Sequence, residues 1–162
     1  MKQISELSKD LEKTWDKLVR NLISAQSMTA NDILNDLRMN ANMDTSEFVE
    51  SIYRTDTTLS GDAIETFIGS DLTVTSSEGK KYNLGWLLEV GTSPHTIRPV
   101  NASALRFEVN GKEVFAKEVN HPGTIAYNNY RNAKNNAKPQ YRERINKAVK
   151  EAFKWEKIYK IY

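Results

Sequence analysis

The sequence predicts an α+β subunit: a long N-terminal helix, a small antiparallel sheet, and a C-terminal helix packed on or beside that sheet. Three observations predict it. Apolar residues recur every three or four positions near both ends of the chain. Between residues 45 and 125, short β-branched and aromatic runs alternate with turn residues. One of those turns is Asn110-Gly111, the pair best suited to a two-residue hairpin. At 162 residues, the chain fits one domain, 1–162, divided into a helical region 1–40, a sheet region 45–125, and a basic helix and tail 139–158.

The first helix follows from Ile4, Leu7, Leu11, Trp15, Leu18 and Leu22, with charged residues between them. Ile33, Leu34 and Leu37 continue the pattern. The spacing predicts nearly continuous helix to about Met39, with a weak joint near Ser27. Asn40 to Asp44 reads as a polar break, and Thr45 to Tyr53 as a short turn leading into a strand.

Hairpin strands are expected from Ala63 through Ile68 and over Leu72–Thr75, bounded by Gly69-Ser70-Asp71 and Ser76 to Gly79. The compact apolar run Tyr82 to Val90 fits either a helical turn or a buried strand, and Gly91 to Pro94 closes it. His95 to Pro99, Leu105 to Val109 and Glu113 to Val119 are three further strand candidates. The turn His121-Pro122-Gly123-Thr124 ends the sheet. Asn128 to Lys138 reads as a polar connector, which makes Pro139 the first residue of the terminal helix.

Composition narrows the chemistry. The absence of cysteine excludes disulfides, thiolate metal sites and cysteine nucleophiles, and suits synthesis in a reducing cytoplasm. No apolar run is long enough for a signal or a membrane span, so no membrane association is expected. Net charge is only +2, yet residues 131–162 hold ten Lys/Arg against three Asp/Glu. An acidic partner belongs at that end.

The only histidines, His95 and His121, each lie beside a proline or one residue from it at a turn, in no metal-ligand spacing. Hydrogen bonding to loop backbone accounts for them better than metal binding. Ser93 near His95 and Thr124 near His121 are the nearest nucleophile–base pairs, but no nucleophile-elbow pattern surrounds them. Glu89 and Glu108 are candidates for a carboxylate pair, though isolated glutamates are more often surface charges. Gly61, Gly69 and Gly79 are too scattered to cradle phosphate. No enzyme, cofactor or metal is expected.

The basic end offers two readings. Arg142, Lys147, Lys150, Lys154 and Lys157, with Trp155 among them, suit phosphate contact and base stacking. Alternatively, the apolar positions that continue through Trp155 and Ile158 dock on this domain or on a neighbour. That helical spacing favours docking.

Leu87-Leu88-Glu89-Val90-Gly91-Thr92-Ser93-Pro94-His95-Thr96-Ile97-Arg98-Pro99, followed by Asn101 to Phe107, Val114 to Lys117 and Val119-Asn120-His121-Pro122-Gly123-Thr124, resembles the tailed-phage neck and tail-completion proteins of the gene-product-ten-like family. Thr45 to Ile52 resembles that family's junction between first helix and first strand. After His-Pro-Gly-Thr the sequence departs from the family pattern, with Ala126 to Ala133 replacing a proline- and phenylalanine-containing stretch.

The resemblance implies a structural virion protein made in the host cytoplasm: a head–tail joining or tail-completion subunit forming a ring of six in the neck. Such a ring lies between head-closure or connector proteins and tail tube or terminator proteins, with DNA passing through its lumen. Gly91, Thr92, Pro94, His95, Pro99, His121, Pro122 and Gly123 then shape rigid turns suited to mating with neighbouring rings.

Overall fold

A computed structural model describes residues 4–41, 46–76 and 78–153. The architecture is α+β, with a long first helix, small antiparallel ladders and a long last helix. Helix α1 (Ile4–Met39) runs without interruption for 36 residues, about 54 Å at 1.5 Å per residue. The expected weak joint near Ser27 is absent, and Thr29 lies within the unbroken helix. It is buried inside the helix, and its hydroxyl donates to the Ala25 carbonyl at 2.9 Å.

The segment expected to turn directly into a strand forms a short helix first, α2 (Ser46–Ser51), and then β1 (Ile52–Arg54). The cause is packing. Phe48 and Ile52, four residues apart, are both almost fully buried in one core with Leu37, Leu88 and Ala133. Thr45 lies outside the described residues.

Among the described residues, the strands pair as five separate two-stranded antiparallel ladders. β1 pairs with β4 (Ile68–Ser70), and β2 (Thr58–Ser60) with β3 (Ala63–Glu65) across the turn Gly61-Asp62. β2 has only three exposed residues and no apolar alternation, so the sequence did not betray it. β5 (Thr73–Thr75) pairs with β6 (Lys81–Asn83). β6 leads into α3 (Leu84–Val90), which resolves the run left open between helix and strand. Asn83 caps α3 by accepting the Trp86 N–H at 2.9 Å.

β7 (His95–Ile97) pairs with β10 (Val119–His121), and β8 (Leu105–Val109) with β9 (Lys112–Ala116). The expected strand Glu113 to Val119 is thus split at Lys117-Glu118. Asn110 and Gly111 both have positive φ, 52° and 75°, as a type I′ hairpin turn demands.

Helix α4 (Asn129–Phe153) corrects the expected connector: residues 129–138 are helical, and Pro139 lies inside the helix. Two contacts outweigh the proline. Ala133 and Ala137 are buried, and the carboxylate of Glu89 holds the helix's first N–H groups. α4 runs antiparallel to α1. Links run in opposite order along the two helices, from Asn136–Asp36 (3.0 Å) through Arg144–Asp32 (2.6 Å) and Asn21–Ala148 carbonyl (3.3 Å) to Lys17–Glu151 carbonyl (2.7 Å). Buried alanines on α4 let the two helices approach closely.

Candidate interaction site

Two turn motifs about thirty residues apart in sequence meet at one place. Thr92 and Thr124 form an antiparallel bridge, with the Thr92 N–H on the Thr124 carbonyl at 2.9 Å and the reverse bond at 3.2 Å. The Thr92 hydroxyl also accepts the Thr124 N–H at 2.9 Å. Three residues outward, His95 and His121 face each other in the β7–β10 register, ring centroids 5.1 Å apart. Gly91, Thr92, Pro94, His95, His121, Pro122 and Gly123 thus form the root of a single β-arm that spans Thr92 to Thr124.

The root requires both its glycines. A side-chain carbon on Gly91 would stand 2.5 Å from the Thr124 carbonyl oxygen, and one on Gly123 would meet the Thr92 carbonyl oxygen even more closely. Both also have positive φ, 75° and 89°. Each imidazole is tied to backbone: His95 Nδ1 lies 2.9 Å from the Ser93 carbonyl, and His121 Nδ1 accepts the Gly123 N–H at 3.1 Å. That bond leaves the proton of neutral His121 on Nε2. Among the described residues, no group of three or more His, Cys, Asp or Glu is placed to hold a metal ion.

Beyond the root, the arm is pinned by side chains. Thr96 donates to Asn120 at 3.0 Å, and Arg98 forks onto one oxygen of Glu118 at 3.0 and 3.2 Å. Seven residues, 98–104, then oppose only two, 117–118, so the outgoing strand bulges before β8 and β9 resume pairing. Pro99 lies in this bulge, away from the root. In the β8–β9 hairpin, Leu105, Phe107, Val114 and Ala116 share one face by register and are half-buried. The opposite face carries the Arg106–Glu113 ion pair and Phe115, which is 65% exposed. A two-stranded ribbon with apolar residues on both faces is marginal alone in water.

The arm springs from a rigid base that sequence reasoning missed. The carbonyls at the end of α3 are taken up by Gly91 (from Leu87, 2.8 Å), Tyr127 (from Leu88, 2.9 Å) and Asn128 (from Glu89, 3.3 Å). In return, the Glu89 carboxylate accepts the N–H groups of Tyr130 at 2.8 Å and Arg131 at 3.1 Å, capping α4. Glu89 is therefore not half of a carboxylate pair: Glu108 sits out on β8, opposite Glu113. No local signal could expose this cap, because it lies some forty residues before the helix it serves. Tyr130, in the next turn of contacts, has a buried hydroxyl without a hydrogen-bond partner among the described residues. Burial, and secondarily Glu89 and Tyr53, push its phenol above the ordinary tyrosine value.

The basic candidates divide. Arg142, Lys147 and Lys150 are exposed on α4, Lys147 lying 3.9 Å from Glu151. Arg144, between them in sequence, turns instead onto Thr29 and Asp32 of α1. Lys154, Trp155 and Lys157 lie outside the described residues. No helix among the described residues is long and apolar enough to cross a membrane.

No family model, curated protein or solved structure matches the chain.

Proposed function

We propose that this chain is a structural virion subunit of a tailed phage, a ring-forming head–tail joining or tail-completion component of the neck. The observation that carries this reading is the β-arm, Thr92 to Thr124. Among the described residues, Ile97, Val100, Val109 and Phe115 on this arm remain exposed, while its root is built from two glycine turns whose glycines admit no side chain. An element fixed at its base and carrying exposed apolar residues between its ion pairs is suited to lie against a neighbouring subunit, and a head-to-tail contact of that kind forms a ring when its rotation closes. The root residues are also those on which the resemblance to neck proteins rests. The function is geometric: six copies around a channel for DNA, between connector and tail proteins.

The test is assembly. Native mass spectrometry and electron microscopy of the purified chain, alone and with its connector-side and tail-side neighbours, should show rings. Phe115→Asp, at an exposed arm position, should leave the helical circular dichroism unchanged and abolish ring formation. A chain that stays monomeric under all these conditions overturns the proposal.

A second reading has its own observation. Arg142, Lys147 and Lys150 stand exposed on α4, as a phosphate-binding face requires. Duplex DNA binding that weakens steeply with salt, and weakens further when the three are changed to Gln, supports it. No binding at low salt excludes it.

A further inference from the structure

Where the carboxyl end of α1 meets the first turns of α4, the two helices leave a cleft of about 300 Å³ between them. Its floor is apolar, made by the buried Leu37 and Ala133. Its walls are polar. Asp36 and Asn40 line it from one face of α1, and Asn129, Asn132 and Asn136 from one face of α4.

The hydrogen bonds fix how these amides are used. Asn136 donates its side-chain N–H to one oxygen of Asp36 at 3.0 Å, and Asn40 donates to the other. Asn132 donates to the Tyr127 carbonyl at 3.4 Å. These carboxamides thus spend a donor on the protein and keep their oxygens as acceptors. A carboxylate has about four lone-pair positions, so Asp36 also keeps accepting capacity. Among the described residues that line the cleft, none is basic. The basic residue in the last turn of α1, Arg38, donates instead to the Ile52 carbonyl at 2.6 Å.

We infer that this cleft binds an alkylguanidinium cation, the group carried by an arginine side chain or by a free guanidino compound. The alkyl stem lies on Leu37 and Ala133, and the planar head meets Asp36 and the amide oxygens. An anion is disfavoured although α4 begins here. The amides that a helix start offers to anions are occupied, those of Tyr130 and Arg131 by the Glu89 carboxylate and that of Asn132 by the Asn128 carbonyl. The facing end of α1 adds its own partial negative charge. Guanidinium is favoured over ammonium because its rigid fork matches carboxylate geometry and it is less strongly hydrated. The inference uses no part of the β-arm and is independent of ring assembly.

Amide NMR of the isotope-labelled full-length chain tests it, with ethylguanidinium, ethylammonium and inorganic phosphate as probes. Ethylguanidinium at about 10 mM, enough to fill most of a millimolar site, should shift the side-chain amides of Asn132 and Asn136 saturably and leave those of β8 and β9 in place. Ethylammonium should bind less tightly, and phosphate should leave the same signals unmoved. Asp36→Asn keeps the side chain's shape and should weaken ethylguanidinium binding roughly tenfold or more. Asn129→Asp adds a carboxylate to the wall, at a helix start that favours one, and should tighten binding about threefold. N-acetylarginine amide distinguishes the sources: binding like that of ethylguanidinium admits an arginine of another polypeptide, and its exclusion assigns the cleft to a free guanidino compound. No saturable shift with ethylguanidinium, tighter binding of ethylammonium or phosphate, or an affinity that neither variant changes overturns the inference.

Discussion

The carboxylate of Glu89 accepts the backbone N–H of Tyr130 at 2.8 Å, so a residue of α3 caps the amino end of α4 from forty-one positions away. The same carboxylate accepts from Arg131, and the chain between them returns its own N–H groups to the end of α3. Two helix ends thus satisfy each other, and the β-arm leaves from between them.

Glu89→Ala removes a charged acceptor from two N–H groups, and should destabilise the chain by about 1.5–3 kcal/mol. Glu89→Gln keeps an oxygen for one bond and should cost about half as much. Urea unfolding at neutral pH measures both, and equal costs for the two variants would show that the charge contributes nothing.

Tyr130→Phe removes a buried hydroxyl that finds no partner among the described residues. It should leave stability unchanged or raise it by about 1 kcal/mol. The pH dependence follows from the raised phenol value. Above pH ~10 the unfolded chain releases this proton and the folded chain retains it, so the unfolded state binds fewer protons and stability falls as pH rises. Tyr130→Phe should flatten that alkaline decline. An identical decline in both proteins argues against the burial of this phenol.

Gly123→Ala places a carbon against the Thr92 carbonyl oxygen at a residue with φ of 89°. Gly79→Ala has comparable φ, 77°, but meets nothing within 4 Å. Both carry backbone strain, and only the first has a clash. Hydrogen exchange at the Thr92 and Thr124 amides should accelerate roughly tenfold or more in Gly123→Ala, equivalent to about 1.4 kcal/mol, with no change there in Gly79→Ala.

Pro139→Ala distinguishes an interior proline from one at a helix start. Inside α4, the proline denies an N–H to the turn before it, so alanine should raise the unfolding midpoint by the equivalent of about 1–3 kcal/mol. At a first helical position the same change would be close to neutral.

Much of the fold was legible because it is written in local periodicity. The run from Ile4 to Leu37 reads as nearly continuous helix because apolar residues recur at helical spacing on both sides of Ser27, and Asn110-Gly111 reads as a hairpin because both residues tolerate positive φ. The turns Gly91 to Pro94 and His121 to Thr124 were equally visible as turns. Their meeting was not, because a turn motif states its own backbone shape and says nothing of its partner.

The sequence by itself determined the α+β composition, the span of α1, the tip of the β-arm and the uneven charge of the carboxyl end. Only the tertiary structure decided that Phe48 sits on a helix, that α4 begins ten residues before its proline, and that Glu89 serves as a cap. Each of these depends on burial or hydrogen bonding between residues distant along the chain. Such contacts outweigh local preferences of about 1–3 kcal/mol and leave no periodic trace in the residues that make them.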